Sequence, residues 1–302
     1  MNYSVTHTTS YRYSETVAVC HNRLHLAPRE TDRQRCHDYR LVLNPPPKLI
    51  TRQTDYFGNL VDYFSIHGAY RAFEVTSTSH VEVSPSPNFD EMQSEAWEVI
   101  RAQARETRRF SSLRHFPLLL PSARVQISEP IRSYAQQSFP ANRPILEAIR
   151  ELNQRIHNDF TFDQQATTIH TTVDEAFRLR RGVCQDFAHL AIACLRSLDL
   201  PARYVSGYVR TTPPAGQSRL VGADASHAWC SVYCGDCGWI DLDPTNNLLS
   251  GDSHICVAWG RDYDDVSPIQ GIFVGGGHHE LRVGVDMTPS DEEAKSAASE
   301  QI

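Results

Sequence analysis

The sequence predicts an α+β protein: a β-rich region over residues 1–83, a larger mixed region over 84–288 and a mobile tail over 289–302. Three observations carry this division. The first 83 residues alternate apolar and polar side chains in short runs, the period of strands. Between residues 90 and 200 the apolar side chains fall three and four apart, the period of helices. After Pro201 the alternation returns, in runs separated by turn residues.

In chain order, Tyr3, Val5, His7 and Thr9 alternate, as do Tyr39, Leu41 and Leu43, which stop at Asn44-Pro45-Pro46-Pro47. A Phe57-Gly58-Asn59 turn joins two more runs, the second carrying Val61, Tyr63 and Ser65. Phe73, Val75 and Ser77, then Val81 and Val83, make a last pair of strands. No acid/base cluster stands out here, so the region reads as a structural β domain, with substrate docking as the sharper alternative. Ser84-Pro85-Ser86-Pro87-Asn88 marks its boundary. A helix is expected over 90–105, with Met92, Ala96, Val99 and Ile100 on one face. A proline-bracketed loop at 116–121 and a short helix over 129–138 come next. A stronger helix begins at Pro144, with Ile145, Ile149, Leu152 and Ile156 as its stripe. Phe160-Thr161-Phe162 is extended, and 172–179 is another short helix.

From Val183 the apolar residues fall at Phe187, Leu190, Ala191, Cys194, Leu195 and Leu198, so a helix with one buried face begins beside Cys184. Pro201 ends it near Asp199 or Leu200, and 202–209 follows as a strand. At a helix N-terminus the orphan N–H groups and the dipole favour a thiolate over a thiol. Further on, 224–232 reads as loop then strand, and 238–246 as the returning strand and a loop, with Cys234 to Cys237 as the turn. In that hairpin His227 and Asp243 share the open end. Cysteine, histidine and carboxylate in this order supply a nucleophile, a base and a group that fixes the base's tautomer. Asp241 shares the face of Asp243 and is its rival. Asp186 reads as a brace for the helix start. The segment 211–225 has no periodicity and reads as a loop bordering the site.

Gly182-Val183-Cys184-Gln185-Asp186-Phe187, Pro201-Ala202-Arg203-Tyr204-Val205-Ser206-Gly207-Tyr208, His227-Ala228-Trp229, and Gly238-Trp239 with Asp243-Pro244-Thr245 together resemble the core of bacterial transglutaminase-like proteins, some described as cysteine proteases. The segment from His254-Ile255-Cys256 to Asp265, with Val266-Ser267-Pro268, is also similar to that family, as are Tyr3-Ser4-Val5-Thr6-His7 through Asp55-Tyr56-Phe57-Gly58-Asn59. The resemblance covers most of the chain, and its specificity lies in the spaced blocks taken together. It implies a papain-like α+β fold, with the family's β domain at 1–83 and a catalytic domain over 84–288 whose core spans 143–250. It also implies a triad of Cys184, His227 and Asp243, the Asp-Pro-Thr block choosing Asp243 over Asp241. The expected chemistry is acyl transfer from a peptide or protein amide through a thioester, to water or to an amine acceptor. The Cys184 N–H is one expected oxyanion donor. The second is unassigned, with Gln164, Gln165 and the neighbourhood of Phe160 as candidates. A non-catalytic scaffold on the same fold is the alternative.

Composition narrows the field. Of 302 residues, 22% are charged and 40% apolar, as in ordinary globular proteins. The net charge of −7 and the lack of a Lys/Arg stripe argue against nucleic-acid binding. No apolar run reaches membrane-span length and no h-region opens the chain, so the expectation is a cytoplasmic protein. Eight cysteines follow no secreted-scaffold spacing and are expected reduced. Cys20 and Cys194 read as buried thiols. Cys230, Cys234 and Cys237 give three thiolates where structural zinc takes four ligands, with His254 or Cys256 as the fourth candidate. A plain turn explains them without metal, so no cofactor or metal is expected. Redox use of Cys234 and Cys237 is weaker, because no helix N-terminus activates them. Trp229 and Trp239 read as hairpin core or as walls of the site. Gly275-Gly276-Gly277 reads as a turn and not as a phosphate loop, because no helix follows it.

Overall fold

The computed structural model describes residues 1–86, 88, 93–106, 116–210, 225–249 and 251–290. The expected access loop at 211–225 and the tail beyond 290 therefore lie almost wholly outside the described residues. Two antiparallel sheets and a group of helices share one core.

The first sheet holds β1 (Asn2–Leu24), β2 (Gln34–Asn44), β3 (Ile50–Thr54), β4 (Leu60–Val83), β12 (Ile269–Gly275) and β13 (His279–Pro289). β1 pairs along nearly all its length with β4, which is one 24-residue strand where the sequence suggested separate runs. On its other edge β1 pairs first with β13, Tyr3 to Tyr13, and then with β12, Val17 to Leu24. The sheet of the first 83 residues is thus completed by residues 269–289, a pairing that local alternation cannot reveal.

The second sheet has the order β10-β9-β8-β7-β11. Its strands are β7 (Ala202–Val209), β8 (Ala225–Tyr233), β9 (Trp239–Asp243), β10 (Leu248–Leu249) and β11 (His254–Gly260). The expected hairpin is β8 and β9, closed by a 3-10 turn at Gly235–Cys237.

The helices are α1 (Trp97–Arg105), α2 (Glu129–Gln136), α3 (Ile145–Asp159), α4 (Val173–Leu179), α5 (Cys184–Ser197) and α6 (Tyr263–Val266). α1 starts later than the apolar spacing suggested, because Ala96 pairs with Pro144 in an isolated bridge instead of turning into helix. Between α3 and α4, β5 (Thr161–Phe162) pairs in parallel with β6 (Arg181–Gly182), just before the nucleophile candidate.

α5 is the centre of the molecule. It packs on β8 and β7 with α2, α3 and α4 around it, and every residue from Asp186 to Ser197 is buried. A helix surrounded on all sides has no solvent face to give to polar residues. Its one deeply buried arginine, Arg196, is satisfied by carbonyls: Nη2 donates to Ala202 O at 2.8 Å and to Arg261 O at 2.7 Å. Side chains of the first sheet, Tyr3, Val5, Val81, Val83, Val285 and Met287, belong to the same core as α5. The two sheets therefore share one hydrophobic core.

Candidate active site

Cys184 is the first residue of α5, as the sequence predicts. Asp186 holds that helix start: its Oδ2 accepts from the Val183 N–H at 2.8 Å and from Thr167 Oγ1 at 2.7 Å. Gly182 is required here, since a Cβ would lie 2.5 Å from Asp186 Oδ2. The bracing role expected of Asp186 is the one it has. Burial pushes its carboxyl upward, against those hydrogen bonds.

The hairpin brings His227 and Asp243 together. His227 Nε2 lies 2.8 Å from Asp243 Oδ2, and both side chains are almost wholly buried. Nε2 being committed to Asp243, Nδ1 is the ring nitrogen left for the Cys184 sulfur, which lines the same cavity as His227. Burial works against charge on His227, but the bonds to Asp243 and Cys184 outweigh it and raise the imidazole to about 10. Burial likewise works against Asp243, and its bonds to His227 and His254 more than compensate, so the carboxyl is held well below its ordinary range. The result is an ionised carboxylate under an imidazole that favours its protonated form, next to the Cys184 sulfur at a helix N-terminus.

Asp243 is fixed from several directions. Its Oδ1 accepts from the N–H groups of Thr245 at 3.1 Å and Asn246 at 3.2 Å. Its Oδ2 accepts from Asn246 Nδ2 at 2.7 Å and from His254 Nε2 at 3.0 Å. His254 Nδ1 sits 3.2 Å from Ser253 Oγ. A hydroxyl donating there leaves the proton on Nε2, facing the carboxylate. Asp241, the rival, points elsewhere: its Oδ2 accepts from Trp229 Nε1 at 3.0 Å.

His254 and Asn246 are the residues that sequence reasoning missed. In the sequence His254 reads as a candidate fourth zinc ligand and as the first residue of a family-like block, with no sign of a role beside Asp243, and β11 stands three strands from β9 in the sheet order. Strands that far apart in a flat sheet lie about 14 Å from each other, so strand order alone does not announce the contact. Asn246 was seen only as part of the loop that ends β9. Its place three residues after Asp243 was the available signal, because Asx side chains bond locally in turns.

The cysteines sort cleanly. Cys194 and Cys20 are buried, as expected. Cys230 and Cys234 are core residues and Cys237 is half-buried. Among the described residues they form no group of metal ligands. His227, Asp243 and His254 do place one ligand atom each within 4.8 Å of one another. Those atoms already satisfy each other as hydrogen bonds, the histidine nitrogens donating to the carboxylate.

A cavity of about 270 Å³ opens over Cys184 and His227. Its walls come from both sheets: His7, Thr9 and Tyr11 of β1 and Leu281 and Val283 of β13 face Tyr204, Ser206 and Tyr263. His7 Nδ1 is 3.0 Å from Tyr208 Oη and its Nε2 is 3.0 Å from Thr9 Oγ1, linking the sheets beneath the cleft. Burial lowers His7 to about 4, so it is a neutral structural bridge. The β-rich region is therefore a wall of the cleft as well as a structural layer. Gln164 and Gln165, candidates for the second oxyanion donor, are exposed and do not line it.

A helix-borne cysteine facing a histidine and an aspartate on an antiparallel sheet is the layout of a papain-like, transglutaminase-like core. Comparison with known proteins agrees. Residues 3–82 match the bacterial transglutaminase-like N-terminal region, and residues 132–244 match the transglutaminase-like superfamily. The chain belongs to this family of bacterial transglutaminase-like proteins. It is 42% identical over 303 residues to an uncharacterized protein of Mycobacterium tuberculosis, covering 98% of this chain and 95% of that one. A stretch of 118 residues is 30% identical to a protein-glutamine gamma-glutamyltransferase of Pseudomonas aeruginosa, covering 38% of this chain and 18% of that one. The crystal structure of a candidate cysteine protease from Cytophaga hutchinsonii superposes with a TM-score of 0.75 at 21% identity, over 96% of this chain and 91% of that one. At that identity the likeness speaks for the fold.

Proposed function

We propose that this protein is a thiol acyl-transfer enzyme that acts on amide bonds of peptides or proteins through Cys184, His227 and Asp243. The observation that carries this reading is His227, held by Asp243 on Nε2 and lining one cavity with Cys184 at the start of α5. His227 takes the Cys184 proton and the sulfur attacks the carbonyl carbon, forming a C–S bond as the C=O π pair moves onto the oxygen. The C–N bond then breaks as His227 gives its proton to the departing nitrogen. The N–H groups of the first turn of α5 are the natural stabilisers of the oxyanion. Water or an amine next attacks the thioester, His227 takes the proton of that nucleophile, and the C–S bond breaks.

Water makes the enzyme an amidase or protease; an amine makes it a transglutaminase. In either case Asp243 orients the imidazole and stays ionised. The reading includes a reducing compartment such as the cytoplasm, since the thiol must be free. All eight cysteines are unpaired, and no described helix is long and apolar enough to cross a membrane.

The test is a glutamine-containing protein substrate with and without a primary-amine acceptor, following ammonia and amine adduct separately. The same assay is run with Cys184→Ala. Release or adduct that disappears in Cys184→Ala, while its circular dichroism stays unchanged, supports the reading. Product formed equally by Cys184→Ala, or labelling by a thioester-trapping probe at another cysteine, refutes it. Asp243→Asn should cost roughly 10⁴-fold in turnover, the scale seen when a triad carboxylate is lost.

A further inference from the structure

A second cavity, of about 660 Å³, shares no described lining residue with the cleft over Cys184. Three arginines line it, Arg29 and Arg33 from the segment after β1 and Arg203 from β7. Arg203 lies between two indoles, its guanidinium carbon 4.2 Å from the Trp239 ring centroid and 3.6 Å from that of Trp259. Arg29 stands 3.5 Å from the same Trp259 centroid. Two planar groups cannot occupy one ring face at such distances, so Trp259 is sandwiched between two cations.

These guanidiniums are short of acceptors. The Nε of each of the three is buried without a hydrogen-bond partner. Arg29 donates to Asn59 Oδ1, and Arg33 donates to Ser84 O at 3.0 Å and Ser86 Oγ at 2.8 Å. Arg203 makes its described contacts with aromatic rings alone, and none of the three pairs with a carboxylate among the described residues. The carboxylates lining the cavity are Asp241, engaged with Trp229, and the exposed Glu30 and Asp32. Burial lowers Arg203 to about 10, with Asp241 working the other way. Cation–π contacts offset only part of the cost of taking a guanidinium out of water. The missing element is an acceptor with oxygens on one side, the group that a guanidinium fork grips in parallel.

We propose that this cavity is a binding site for a compact oxyanion, a phosphate or carboxylate group, gripped by Arg203 and Arg33 with Arg29 beside them. The stacked indoles hold the forks in place before the anion arrives, which lowers the entropy lost on binding. The proposal does not depend on the acyl-transfer reading: the cavity borders the candidate active site through His254, and its arginines make no contact with Cys184 or His227 among the described residues.

The experiment is titration calorimetry of the whole protein in low-salt buffer, with inorganic phosphate in one arm and citrate in the other. Tryptophan fluorescence is recorded in parallel, since Trp239 and Trp259 carry the cations. Saturable binding of either probe is expected, weakened at least tenfold in Arg203→Gln and in Arg33→Gln and unchanged in Arg282→Gln, an exposed arginine elsewhere. Binding of phosphate points to a phosphoryl ligand and binding of citrate alone to a carboxylate. Should Arg203→Gln fail to fold, Arg33→Gln decides by itself. No saturable heat from either probe, or equal binding by wild type and Arg33→Gln, overturns the proposal.

Discussion

Asp243 has no freedom to turn away from His227, because Asn246 and His254 hold the same oxygen that His227 does. His254 is accordingly a positioning residue. His254→Phe should slow iodoacetamide capture of Cys184 at neutral pH by about 10–100-fold, the worth of one hydrogen bond to a charged group. His254→Gln keeps an N–H in reach and should recover most of that rate; equal loss in both variants would mean that the ring matters only for packing. The charge on His227 makes a second prediction. With the imidazole raised to about 10 by Asp243 and Cys184 against the pull of burial, its stabilising effect is complete below its unfolded value near 6.5 and is lost as pH climbs toward 10. The melting-temperature gap between wild type and His227→Gln should therefore be widest near pH 6 and close on the way to pH 10. A gap constant over that range would contradict an imidazolium in the folded site. At this scale the sequence was generous with Cys184, His227 and Asp243, because each sits in a short block with its own local signal. It was silent on His254, whose partner Asp243 lies on a strand three places away in the sheet.

Elements carry the next layer. α5 was legible because its apolar spacing and the Pro201 stop are local, and the β8–β9 hairpin because its turn residues are. The helix ends at Ser197, a little before the proline, where Asp199 takes a left-handed backbone at φ 60°. Less legible was the length of β4, whose segment His67-Gly68-Ala69-Tyr70-Arg71-Ala72 lacks the apolar alternation and is instead a mostly exposed part of one continuous strand. The packing of the second sheet makes a prediction of its own at Gly207. A Cβ there would lie 2.1 Å from Ile255 O and 2.5 Å from the Trp229 ring. Since one of those neighbours is backbone, relief requires the β7–β11 pairing to shift. Gly207→Ala should destabilise by about 1–3 kcal/mol or more, seen as a lower urea midpoint at unchanged slope. Full stability in this variant would show that the two strands are looser than drawn.

For the molecule as a whole, the two-part division read from the sequence meets a sheet built from both ends of the described chain. Tyr3, Val5, Val81 and Val83 are buried in the core that surrounds α5, and β1 of the first region is bonded to β12 and β13. Removing residues 1–83 should leave a remainder without a cooperative thermal transition and with exposed apolar surface that binds a hydrophobic dye. A sharp transition in that fragment would restore the picture of an autonomous second domain. The sequence could not disclose this closure, since alternation marks a strand but not its partner. A further consequence concerns time. Leu281 and Val283, which wall the cleft over Cys184, leave the ribosome about a hundred residues after the cysteine does, a delay of roughly 5–20 s at ordinary elongation rates. A nascent chain thus carries its thiol for that interval without its enclosure, and maturation of the cleft is timed by translation of the strands that return to β1.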